Sequence, residues 1–190
     1  MKNNMNKLKL ISPIPPSVNH YLGHKARGNF VTVYVTKEGK EYKKNFAEYV
    51  KTEAIKQKWS WIIDPKQHFY VDMVFYFDRT DMDAGNYDKC LLDAITDTGL
   101  IWIDDKVTCP RVNRIYYDRD NPRIELEIYP VEYVGIFDNQ QQMNCFIEKC
   151  KTCTRYSRNC SILNNAIYGI VQDEISNKEC IKYKKKGCKA

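Results

Sequence analysis

Arg79-Thr-Asp-Met-Asp-Ala-Gly-Asn-Tyr-Asp-Lys-Cys-Leu-Leu-Asp-Ala-Ile-Thr-Asp-Thr-Gly-Leu-Ile-Trp-Ile-Asp-Asp105 is the stretch that organises this chain. Asp81 and Asp83 open it, Asp104 and Asp105 close it, and Lys89 lies between. Carboxylates gathered in one place repel one another unless positive charge offsets them, and a divalent cation is the usual solution. At about 100° per residue, Tyr87, Leu91, Ala94, Ile95 and Thr98 share one mostly apolar arc of a helix, while Asn86, Lys89, Asp93 and Asp97 share a polar one. Gly99 ends that helix. Leu100 to Ile103 then reads as a short apolar strand that carries Asp104 and Asp105 at its end.

Working outward, Phe69, Val71, Met73, Phe75 and Phe77 alternate with Tyr70, Asp72, Val74 and Tyr76, which predicts a strand running toward Asp81. Val107 to Tyr117 and Arg123 to Tyr129 are further predicted strands, joined by the turn Asp118-Arg-Asp-Asn-Pro122. In the second of them Ile124, Leu126 and Ile128 alternate with Glu125 and Glu127, so one face is buried. Before the organising stretch, Lys7 to Ile11 is a strand stopped by Pro13, Pro15 and Pro16. His20, His24, Lys25 and Arg27 fall in a solvated loop with phosphate contact as its functional reading, and Gly23 and Gly28 oppose a helix that would pair the two histidines on a metal. Phe30 to Val35 is a strand, and Lys40 to Gln57 is an amphipathic helix with Tyr42, Phe46, Tyr49, Val50 and Ala54 inward. Trp59 and Trp61 cover the junction from that helix to the next strand. The order β-β-α-β-α-β-β predicts an α+β domain with a mixed sheet and two helices.

These residues resemble the RusA family of Holliday junction resolvases. The family pattern of Asp-x-Asp-Asn, a lysine, a helical Leu-Asp-Ala segment and Asp-Asp after an apolar run is matched by Asp81 and Asp83, Asn86, Lys89, Leu92-Asp93-Ala94 and Asp104-Asp105. Pro13-Ile-Pro-Pro-Ser-Val-Asn19 resembles the family's Pro-Pro-Ser loop, and Thr36-Lys-Glu-Gly39 its turn into the first helix. One departure stands out, since Ala84-Gly85 separates Asp83 from Asn86 where the family pattern has none. The resemblance implies an intertwined homodimer acting on branched DNA, four-way junctions above all.

On this reading the reaction is phosphodiester hydrolysis assisted by Mg2+, with Mn2+ as the alternative ion. Asp81, Asp83 and Asp105 are the expected ligands, with Asp104 the neighbour most easily mistaken for one. Lys89 is the expected cation at the scissile phosphate, oriented by Asp93 on the same helical face. An EF-hand calcium loop is excluded, because Asn86 and Leu92 stand where that loop needs glycine and glutamate. The alternative function is a non-catalytic DNA-binding protein that recognises its target through the tail.

The tail is set apart by composition. Residues 137–190 carry ten Lys or Arg against five Asp or Glu, whereas residues 1–136 carry twenty against nineteen, so most of the net charge of +6 lies there. The expected division is a RusA-like domain over 1–133 and a segment over 134–190, with Phe137 to Met143 as a polar linker. Six of the eight cysteines follow, at 145, 150, 153, 160, 180 and 188. Cys150-Lys-Thr-Cys153 has the spacing of a metal knuckle, and Cys160 and Cys180 complete a four-thiolate set suited to Zn2+, with an iron–sulfur cluster using the same ligands. Neither a signal-peptide core nor an apolar run of membrane-spanning length is present, so the expected location is the cytoplasm, with no membrane partner.

Overall fold

The computed structural model describes residues 7–59 and 64–187. Trp61 and Cys188 lie outside the described residues. The chain forms two units, Met1–Pro130 and Val131–Ala190.

The first unit is α+β, built on a mixed sheet. Its strands are β1 (Leu8–Ser12), β4 (Phe69–Phe77), β5 (Thr108–Tyr117) and β6 (Arg123–Pro130), in the order β1-β6-β4-β5. β6 runs antiparallel to both β1 and β4, and β5 runs parallel to β4. A parallel pair needs a crossover, and helix α3 (Asp88–Thr96) lies within the connection from β4 to β5. Alternation decides the faces: Phe69, Val71, Met73, Phe75 and Phe77 of β4 are buried, and so are Ile124, Leu126 and Ile128 of β6. These pack with Leu91, Ala94 and Ile95 of α3 and with Phe46, Val50 and Ala54 of helix α2 (Lys37–Lys56) in one core. On the opposite face, Arg111 donates to Asp72 Oδ1 (2.6 Å) and to the Tyr129 hydroxyl (2.6 Å), and its guanidinium lies 3.7 Å from the Tyr70 ring centroid.

α2 begins where the side chain of Thr36 accepts the Gly39 N–H (3.2 Å), a capping bond. Gly39 has a packing reason as well. A β-carbon there would stand 2.6 Å from the ring of Tyr21, the last residue of the short helix α1 (Val18–Tyr21), so glycine is what lets Tyr21 bury itself against α2.

Three expectations from sequence fail. Leu100–Ile103 is not a strand: Ile101 and Trp102 are both buried while Leu100 and Ile103 are exposed, a pattern that breaks strand alternation. The segment is instead pinned into the core, with Trp102 Nε1 donating to Thr96 Oγ1 (2.7 Å) and its ring 5.9 Å from that of Phe69. The loop expected around His24 is strand β2 (Leu22–Arg27), paired antiparallel with β3 (Phe30–Val35) in a separate two-stranded hairpin. Both faces of that hairpin are largely exposed, which removed the periodicity that marks a strand. Lastly, Phe137–Met143 is no linker, since Phe137 is fully buried and Gln140 opens helix α4 (Gln140–Lys151) with Asn139 as its cap.

The second unit holds α4, α5 (Ile162–Ile167) and a hairpin of β7 (Ile175–Ser176) and β8 (Glu179–Cys180). Its core is small: Phe137, Phe146, Ile162 and Ala166 are buried together, the two phenylalanine rings 5.1 Å apart. Among the described residues no helix is long and apolar enough to cross a membrane.

Candidate active site

Lys89 is the hub. It stands in the first turn of α3, and its ammonium donates to Asp93 Oδ1 (2.7 Å) one helical turn on and to Asp105 Oδ2 (2.9 Å). The bond to Asp93 holds the Lys89 ammonium above its ordinary value against partial burial, and Asp105 adds to it. A lysine so placed is a fixed positive charge throughout the physiological range.

Asp93 is locked from both sides. Its second oxygen, Oδ2, accepts the hydroxyl of Tyr21 at 2.5 Å. Burial pushes the Tyr21 phenol up, and the bond to Asp93 pushes it further, so Tyr21 donates as a neutral group. This bond joins residues far apart in sequence, and no local pattern announces it. With both oxygens engaged, Asp93 orients Lys89.

The two acidic residues before β5 are told apart by their partners. Asp105 faces Lys89, whereas Asp104 caps the short 3-10 turn Asp105–Val107, accepting the Lys106 N–H (3.0 Å) and standing 3.3 Å from its ammonium. The Lys106 backbone and side chain hold the Asp104 carboxyl below the usual range. Asp104 is thus committed to Lys106.

Asp83 precedes the departure at Ala84-Gly85, and the structure shows how the extra residues are absorbed. Ala84–Asn86 forms a single 3-10 turn; Asp83 Oδ1 accepts the Gly85 N–H (3.0 Å), Ala84 is buried, and the Asn86 N–H bonds the Asp83 carbonyl (3.1 Å). The turn hands the chain to α3 two residues later. Asn86 itself is half-buried at the end of the turn. Asp81 is on the surface in an ion pair with Arg79 (3.1 Å). The structure therefore brings Asp93 and Asp105 onto the Lys89 ammonium, keeps Asp83 in the turn leading into α3, and leaves Asp81 with Arg79.

The donor chemistry suits a hard cation. Asp81, Asp83 and Asp105 offer carboxylate oxygens, and the described contacts engage one oxygen of each. Among the described residues, no three acidic, histidine or cysteine side chains are gathered as an ion-binding group.

Tyr21 also roots the β2–β3 hairpin beside this site, since its carbonyl accepts the Thr36 N–H (3.0 Å) and β2 starts at the next residue. The hairpin exposes His24, Lys25 and Arg27 together with Phe30 and Val31.

The family model for endodeoxyribonuclease RusA matches residues 13–129, a span that runs from the Pro-rich loop through the Lys89 cluster to the end of the sheet. This chain belongs to the RusA endodeoxyribonuclease family. No curated protein matches it. Membership makes the chain a nuclease of a family that acts on branched DNA junctions, and places the Lys89–Asp93–Asp105 contact inside the RusA domain. The RusA match ends before the cysteine-rich unit, whose chemistry has to be read from its own residues.

Proposed function

We propose that this protein is an Mg2+-dependent, structure-selective endodeoxyribonuclease that resolves four-way junctions in cytoplasmic DNA recombination and repair. The observation that carries the reading is Lys89 held between Asp93 and Asp105 in a RusA domain. Asp81, Asp83 and Asp105 would hold the cation, which when bound supplies a polarised water and neutralises charge on the phosphate. Lys89 places a permanent ammonium at the scissile phosphate and stabilises the negative charge that grows there. Asp93 and Tyr21 keep that ammonium at one position, so little reorganisation is needed when the phosphate arrives. Lys25 and Arg27 on the exposed hairpin offer sequence-independent contacts to the DNA backbone.

Resolution of a four-way junction requires two cuts related by symmetry, and a C2 homodimer supplies them most simply. The protein is expected to sediment near twice its 22.4 kDa chain mass. It should place paired nicks at symmetric positions in a four-way junction while leaving linear duplex of the same sequence intact. A strict monomer that makes unpaired nicks in both substrates would contradict the assembly and the substrate class together.

A further inference from the structure

The second unit has a feature that its apolar residues do not account for. Cys150, Cys153, Cys160 and Cys180 all line one cavity of about 250 Å³, together with Lys149, Arg155 and Lys182. They arrive there on separate segments. Cys150 stands in the last turn of α4, and the Cys153 N–H closes the knuckle onto the Cys150 carbonyl (2.9 Å). Cys153 then bridges to Lys185 across two flanking backbone bonds, Thr154 N–H to Lys184 O and Lys186 N–H to Thr152 O, both 2.8 Å. Cys160 follows Ser157 and Asn159, whose φ angles of +61° and +53° turn the chain back. Cys180 comes from β8, opposite Ile175.

All four are free thiols. Four thiolates on one zinc ion, with bonds of about 2.3 Å, stand about 3.8 Å apart. Among the described residues no three of them are gathered as a single-ion site, and all four line the one cavity. A cavity of that volume lined by four thiols suits a guest larger than one ion, whose own atoms fill the space between the ligands. The lysines and Arg155 around the cavity offset the negative charge that four thiolates bring.

We propose that Cys150, Cys153, Cys160 and Cys180 hold a [4Fe–4S] cluster in this cavity. A unit whose buried apolar core is Phe137, Phe146, Ile162 and Ala166 needs such a staple, because a core of that size contributes little against chain entropy. The cluster then fixes the backbone that displays Arg155 and Lys182–Lys186, and gives the basic tail a defined surface.

The test uses the full-length chain, purified without oxygen or chelator and analysed for iron, zinc and acid-labile sulfide. About four iron and four sulfide per chain are expected, with a brown visible absorption that bleaches on reduction by dithionite. Serine at any one of Cys150, Cys153, Cys160 or Cys180 should remove the colour, while Cys145→Ser, on the exposed part of α4, should keep it. A colourless protein with one tightly held zinc per chain overturns the proposal, and so does failure to take up iron on anaerobic reconstitution with iron and sulfide. Loss of iron in Cys145→Ser with retention in Cys160→Ser overturns the ligand set. None of these readings depends on DNA cleavage, so they stand apart from the nuclease assignment.

Discussion

Lys89→Ala lowers the rate of junction nicking at saturating DNA by about 10²- to 10³-fold, the scale on which an enzyme loses a preorganised charge aimed at the transition state. Junction affinity changes little, because phosphate contacts spread over the DNA-facing surface supply most of it. Asp83→Asn and Asp105→Asn should abolish nicking at the same affinity, since each removes a carboxylate expected to hold the cation. Asp93→Asn is expected to fall between these and the parent, because Lys89 keeps Asp105 as a partner but loses its helical anchor. Single-turnover nicking with filter binding on the same preparations separates the two effects. If Lys89→Ala weakens binding and leaves turnover intact, Lys89 docks DNA and takes no part in the chemistry; nicking near the parental rate in Asp83→Asn removes that carboxylate from the site.

The second large effect is on stability, at Trp102. Its side chain is 1% exposed, contacts Phe69 and donates to Thr96 Oγ1, and it anchors the loop that leads to Asp105. Trp102→Ala empties that space and removes the N–H that Thr96 Oγ1 accepts, at a cost of about 3–5 kcal/mol by comparison with other buried aromatic truncations. Trp102→Phe, which keeps much of the volume and loses the N–H donor, should cost less. Urea denaturation followed by circular dichroism measures both, and a loss below about 1 kcal/mol for the alanine variant would mean the loop is not held by this side chain.

What the sequence made legible follows the range of the interactions involved. β4 could be read directly because one of its faces is buried and period two survives along its whole length. The polar arc of α3 likewise placed Lys89 and Asp93 one turn apart, and the structure finds them bonded. The strand expected at Leu100–Ile103 failed because an apolar run states only that residues want burial, and here the Trp102–Thr96 bond and the Phe69 contact set the backbone. β2 was hidden by its exposure on both faces, and the start of the second unit by a polar surface on α4 that outweighs the single buried Phe146. The Tyr21–Asp93 bond lay beyond reach for a different reason. It depends on Gly39 admitting the Tyr21 ring against α2, a meeting of three distant segments. Asp104 and Asp105, adjacent and chemically alike, became distinguishable only through the turn that gives one to Lys106 and the other to Lys89.

The most direct test of the central claim is a titration of Mg2+ into the purified protein and a synthetic four-way junction, with nicking followed on each strand. The account predicts no cleavage in chelator, symmetric paired nicks that rise with Mg2+ to saturation, and no response to Mg2+ from Asp83→Asn. Cleavage that persists undiminished in chelator, or a junction that is bound but never cut at any Mg2+ or Mn2+ concentration, would contradict it.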